Sequence, residues 1–184
     1  KEAVSVPVIV NGDITDGARA VLGFFAVAFI VTAFLLYWYA GAAKRSALAL
    51  VCAMVPVVWL LGLLPLLGYG IDPMSILVPF LIFSIGVSHA VQMTNAWQLE
   101  VLSGADGRTA AEMAFRKLFV PGAMALLANA LGFMVIMYIE IDIVRELAIT
   151  ASLGVALMIV TNKMLLSVLL SWMRLSPAEI ALAK

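Results

Sequence analysis

Residues 76–97, ILVPFLIFSIGVSHAVQMTNAW, decide how the rest of the chain reads. A helix over this stretch, at 1.5 Å per residue, is about 33 Å long, enough to cross the hydrocarbon core of a bilayer. Its ends are apolar, yet its middle carries Ser84, Ser88, His89 and Gln92. Polar side chains at that depth cost free energy, so each is a functional candidate. His89 is the only histidine in the protein.

The rest of the chain has the same character. Of 184 residues, 65% are apolar and 12% charged, and the mean hydropathy is +1.13. Soluble domains lie near about 45–50% apolar and 25% charged. The chain is therefore an integral membrane protein, of a size for one compact domain. Its formal net charge of zero gives no footprint for nucleic acid. Its lone cysteine, Cys52, lies in an apolar run and excludes an internal disulfide.

Upstream of the central stretch, Val4, Val6, Val8 and Val10 alternate like a short strand, ended by Asn11-Gly12-Asp13. Thr15 or Asp16 is placed to cap the helix that follows. Residues 1–17 read as the end of a domain outside the membrane, and the whole as part of a longer polypeptide. Span one covers about 18–40 and closes on the aromatic belt Tyr37, Trp38 and Tyr39. A tight loop with Lys44 and Arg45 leads to span two, about 47–67, which Pro56 kinks. Gly68-Tyr69-Gly70 and Asp72-Pro73 form the turn into span three, residues 76–97.

Downstream, Thr109-Ala-Ala-Glu112 reads as a capping box. Ala111, Phe115, Leu118 and Phe119 then share one face, and Glu112 pairs with Arg116 on another. This predicts an amphipathic helix over about 106–118, lying on the cytoplasmic membrane surface. Span four covers about 120–139, with Pro121 in its first turn, and span five about 147–172. Glu140, Asp142, Arg145 and Glu146 form a charged turn between them, and 175–184 is a polar cytoplasmic tail. The predicted fold class is an all-α membrane protein: a bundle over 18–174 of five transmembrane helices plus one amphipathic helix.

Five spans put the two ends of the chain on opposite sides. Lys44, Arg45, Arg108, Arg116, Lys117, Arg174 and Lys184 fall on one side, and Lys1, Arg19 and Arg145 on the other. The positive-inside rule places the richer side in the cytoplasm and the N-terminal side outside.

Ser84, Ser88, Gln92 and Asn95 lie at helical spacing and make one continuous face of span three, with His89 about 100° round from Ser88. Asn129 is near the middle of span four. Asn162 and Lys163 lie about one turn to the cytoplasmic side of the centre of span five, and Ser167 and Ser171 continue the Lys163 face. Serines in such helices read equally as packing residues, as Ala148, Ser152 and Ala156 do. Asn129 and His89 also read as interhelical hydrogen-bonding groups. Lys163 is about 13 Å along the helix from Trp172, farther than a lysine snorkels, which favours a polar interior.

All 11 acids fall outside the predicted spans. His89 and Lys163 are thus the intramembrane groups able to carry a proton. Enzymatic readings do poorly. Ser88 and His89 are helix neighbours pointing about 100° apart, which denies them a dyad. One histidine without a buried acid fails a metal site, and no phosphate-binding loop supports a nucleotide cofactor.

Gly70-Ile71-Asp72-Pro73, Ile85-Gly86-Val87-Ser88-His89-Ala90, Gly104 to Ala114 and Ala130-Leu131-Gly132-Phe133 carry a family resemblance. With the order of helices, they resemble one half of a transporter of the resistance-nodulation-division (RND) superfamily. The likeness is to its hydrophobe- and lipid-exporting branch, which includes the MmpL-like exporters and is related to the sterol-sensing domain. It covers nearly the whole chain, and the helix order is more specific than the short motifs.

The resemblance implies the five-helix part of one half of a permease in the bacterial inner membrane, with a periplasmic N-terminal side. The implied function is export of hydrophobic molecules or lipids, driven by the proton gradient. The implied partners are membrane lipids, a hydrophobic substrate and the other half of the same transporter, with a homo-oligomer also open. In the family an aspartate follows the Gly-Val motif and relays protons; here Ser88 and His89 stand at the matching positions. The predicted relay is a polar seam between spans three, four and five. His89 titrates in it, Ser88, Gln92 and Asn129 supply hydrogen bonds, and Lys163 is the charge beside it. The missing carboxylate equally favours a non-transporting sterol- or lipid-sensing module, or a structural half packed against an active one.

Overall fold

The computed structural model describes residues 6–69, 77–176 and 179–180. The chain folds into helices α1 (Val6–Ala40), α2 (Ala43–Leu63), α3 (Leu77–Leu102), α4 (Gly107–Ile136), α5 (Asp142–Met158) and α6 (Leu166–Ser171). A 3-10 turn over Pro65–Leu67 follows α2, and a π-helical turn over Ile159–Leu165 joins α5 to α6. No strand occurs among the described residues. α5, the π turn and α6 continue as one span, giving five helices long and apolar enough to cross a membrane. The all-α class read from the sequence is the observed one. Val4, the Gly70 to Pro73 turn and most of the C-terminal tail lie outside the described residues.

Two local expectations change. Val6, Val8 and Val10 are helical, and Thr15 and Asp16 lie within α1 instead of capping it. A strand needs a partner to take its backbone hydrogen bonds, whereas a helix closes them within itself. The second change is that the amphipathic stretch and span four are one 30-residue helix, α4, with Pro121 inside it. Asp106, not Thr109, caps this helix, accepting from the backbone N–H groups of Arg108 (3.2 Å) and Thr109 (3.4 Å). Glu112 is left to pair with Arg116 at 2.8 Å, as its spacing predicts. A 30-residue helix is about 45 Å long against about 30 Å of hydrocarbon, so its first turns project beyond the core. Their apolar side packs on protein: Ala110, Ala111 and Ala114 are buried with Trp97, Leu166 and Leu170.

α2, α3 and α5 form the centre, where Leu60, Ile82, Val155 and Met158 are fully buried. α1 sits at the edge, docked by Phe25 and Phe29 against Phe83 at ring separations of 5.6 and 5.4 Å. Phe24, Ile30, Phe34 and Trp38 of α1 are exposed. Lipid tails are as apolar as these side chains, so that exposure carries no hydrophobic penalty.

The end of the bundle rich in Lys and Arg is tied more tightly. Buried Trp97 donates its indole N–H to the Gly107 carbonyl at 3.0 Å. A β-carbon on Gly107 would lie 2.4 Å from the Met173 carbonyl oxygen, so the start of α4 sits directly on the chain leaving α6. Arg45, expected in a tight loop, is buried in the first turn of α2. It donates to Gln98 of α3 and, at 2.6 Å, to the Ala40 carbonyl. Its Nε also lies 3.6 Å from a Glu179 carboxylate oxygen. Ser176 and Glu179 form a reciprocal cap: each backbone N–H donates to the other's side chain.

Candidate intramembrane polar site

The π turn sets the geometry of the site. In an α-helix three consecutive residues fan over about 200°. Thr161, Asn162 and Lys163 are nonetheless all fully buried. The widened turn is signed by the Leu166 N–H donating to the Thr161 carbonyl, five residues back, and it packs against α2, α3 and α4. Hydroxyls stabilise its borders: Thr161 donates to the Leu157 carbonyl at 3.2 Å and Ser167 to the Lys163 carbonyl at 2.7 Å. Side chains of this type loosen the backbone ladder locally, and turns of this type recur at functional sites.

Asn162 donates its amide to the Gly86 carbonyl of α3 at 3.0 Å. The Ser167 hydroxyl lies 3.8 Å from the Met93 sulfur. Gly86, His89 and Met93 therefore share the side of α3 that faces the last span. His89 is buried on that side. Across the turn, Lys163 ends on the backbone of Gly122 in α4. Three polar atoms are buried here without a hydrogen-bond partner: His89 Nδ1, Asn162 Oδ1 and Lys163 Nζ. Among the described residues Lys163 has no carboxylate partner.

The seam expected from the sequence is thus brought together only in part. His89 and Lys163 are both buried inside the bundle. Ser88 and Gln92 are exposed, on the outer face of α3 with Ser84, and Asn129 is exposed on α4. His89 Nδ1 has no hydrogen-bond partner among the described residues, so Ser88, Gln92 and Asn129 do not fill that expected role for it here. Asn162 is the buried amide at the site, bonded to Gly86 of α3, while Gly122 of α4 walls the Lys163 amine. Asn95, also expected on the Ser88 face, turns toward α1 and donates to the Tyr39 hydroxyl at 2.9 Å.

Gly122, and the place of Asn162 in the seam, escape a reading built on a 3.6-residue period. That period sends Asn162 and Lys163 about 100° apart, and only the π turn aims both inward. Glu146 is a second omission. It lies just past the first turn of α5, half-buried, with one carboxylate oxygen buried and unpartnered. It sits 17 residues before Lys163, about 25 Å along the same span, and is no counter-charge for it.

Residues 18–172 match the family model described as Patched SSD, the sterol-sensing domain of Patched. The matched region spans all the membrane-crossing segments and stops at Trp172, one residue past α6. No curated protein matches the chain.

Proposed function

The chain belongs to the Patched family as a sterol-sensing-domain bundle, and from that premise we propose that it is the membrane part of one half of an RND-type, MmpL-like permease. In this reading it exports hydrophobic molecules or lipids at the expense of the proton gradient, in the bacterial inner membrane, with its N-terminal side in the periplasm. The observation that supports it most is the Lys163 amine, fully buried and without a hydrogen-bond partner, with His89 also buried in the bundle.

An isolated ammonium in an apolar interior costs on the order of tens of kcal/mol. Whole folds are stable by only about 5–15 kcal/mol. The amine must therefore exchange a proton or meet a counter-charge as the bundle changes state. A relay built on two bases also has the opposite electrostatic sense from one built on acids. Loading a carboxylate removes charge, whereas loading His89 and Lys163 creates two like charges. The loaded seam then pushes α3 away from the π turn, and the unloaded seam lets them close. The outer stripe of Ser84, Ser88 and Gln92 supports a protein neighbour on α3, because lipid tails offer these groups no hydrogen bond.

The test is gradient-driven transport of a lipophilic substrate panel by the full-length polypeptide in liposomes, comparing wild type, His89→Ala and Lys163→Met. Loss of transport in both variants with the fold retained supports the relay. Transport retained in both moves proton coupling to the other half and leaves this bundle as scaffold. The second reading is a sterol- or lipid-sensing module, supported by the lack of a carboxylate partner for Lys163 among the described residues. Saturable lipid binding by a wild-type protein that transports nothing supports that reading.

A further inference from the structure

We infer that the basic end of the bundle holds one anionic phospholipid, with its phosphate on Arg108 and Arg174 and an acyl chain in the groove between α4 and α6. This site is independent of the relay and stands whether or not the seam carries protons.

Two adjoining cavities give the site its shape. The first, about 570 Å³, lies between the α3–α4 loop and the chain leaving α6, and Arg108, Trp172 and Arg174 line it. The second, about 340 Å³, runs between α4 and the last span, along Ala111, Phe115, Met164 and Val168. Arg108 and Ser171 line both, so the charged mouth opens onto the apolar trough.

The charge balance favours an anion. Two acids border the cavities, and both are committed. Asp106 accepts the backbone N–H groups of Arg108 and Thr109, and Glu112 pairs with Arg116 at 2.8 Å. Among the described residues neither Arg108 nor Arg174 takes part in an ion pair or a side-chain hydrogen bond. Guanidinium groups bind phosphate through paired, charge-assisted hydrogen bonds. Basic pockets between membrane helices are places where lipid headgroups lodge. Exposed Trp172 stands beside the mouth, at the level where an indole faces both chains and headgroups.

The occupant follows from using both cavities. A soluble phosphate leaves the trough empty, and a sterol leaves the arginines unused. An anionic phospholipid fills both. Its chain would run toward Met164 and Ser167, the residues just after Lys163 in the last span.

The test uses the full-length polypeptide in nanodiscs of mixed phosphatidylglycerol and phosphatidylcholine, with retained lipid counted by native mass spectrometry. Wild type is expected to retain one phosphatidylglycerol in preference to phosphatidylcholine. An Arg108→Gln, Arg174→Gln double variant, altered at exposed positions, is expected to lose about tenfold of that preference. Val168→Trp, on the exposed wall of the trough, is expected to retain neither lipid there. Equal retention of the two lipids by wild type, or an unchanged preference in the double variant, overturns the site. Displacement of the lipid by glycerol phosphate alone also overturns it, because the trough then contributes nothing.

Discussion

Lys163 ends against the α-carbon of Gly122: a β-carbon at position 122 would lie 2.1 Å from Nζ and 2.4 Å from Cε. The most polar side chain in the interior is thus seated where α4 offers no side chain at all. Gly122→Ala must displace the amine. The amine is the far end of a flexible side chain, so it can move at small cost, and alanine in the helix interior regains about 0.5–1 kcal/mol over glycine. The variant is expected to melt close to wild type in detergent, with Lys163 now reactive toward an amine-acylating reagent. A variant with Lys163 still protected contradicts this packing.

Asn162 ties the π turn to α3 through its 3.0 Å bond to the Gly86 carbonyl. Such bonds inside membranes average about 0.6 kcal/mol and reach about 1.7 kcal/mol. Asn162→Ala should therefore cost little stability. Its larger effect should be on function, because the bond holds the turn that aims Lys163 inward. Thermal unfolding and gradient-driven transport in liposomes, measured on the same variant, separate the two. A large loss of stability with normal transport would mean that Asn162 serves the fold alone.

The outer face of α3 reverses what lipid favours. Leu77, Phe80 and Leu99 near its ends are exposed and apolar, while Ser84, Ser88 and Gln92 in its middle are exposed and polar. If another helical half covers this stripe, cysteines placed at 84 and 88 in the full-length polypeptide should cross-link to that half with a short bifunctional reagent. Cysteines at Phe24 or Ile30, on the exposed face of α1, should not. The native Cys52 is buried and leaves this experiment undisturbed. Labelling at position 88 by a lipid-soluble thiol reagent as fast as at position 24 argues against the covering partner.

What was legible in the sequence follows the physics of each signal. Long apolar runs give the spans, because chain length against bilayer thickness is a strong constraint, and the ends at Ala40 and Trp172 lie within a residue of the observed ones. The starts of α2 and α5 lie earlier than the spacing suggests, since charged first turns such as Lys44-Arg45 and Asp142 to Arg145 look like loop. Ser84, Ser88 and Gln92 do share one exposed face, whereas Asn95, expected with them, turns to Tyr39. Periodicity says which residues share a side, not whether that side meets protein or lipid. The site itself depended on a change of helical period at Ile159–Leu165, which residue spacing alone does not announce.

Arg45 and Glu179 give a pH dependence whose sign can be worked out. Burial pushes the Glu179 carboxyl up, but hydrogen bonds from Ser176 and the charge and hydrogen bond of Arg45 outweigh it and hold the group below its usual value of 4.5. A carboxyl depressed in the folded state contributes stability that is present above the unfolded value. That contribution is lost as pH falls through the folded one. At pH near neutrality Glu179→Gln should unfold at lower temperature than wild type. The gap should narrow as pH drops below about 4.5 and vanish once wild-type Glu179 is itself protonated. Arg45→Met removes donations to Gln98 and Ala40 as well. It should cost about 1.5–3 kcal/mol, a deficit that persists at low pH because those acceptors do not titrate. Melting curves of the three proteins across this range decide the matter. A gap between wild type and Glu179→Gln that is constant with pH would show that the carboxylate charge has no part in holding the tail against α2.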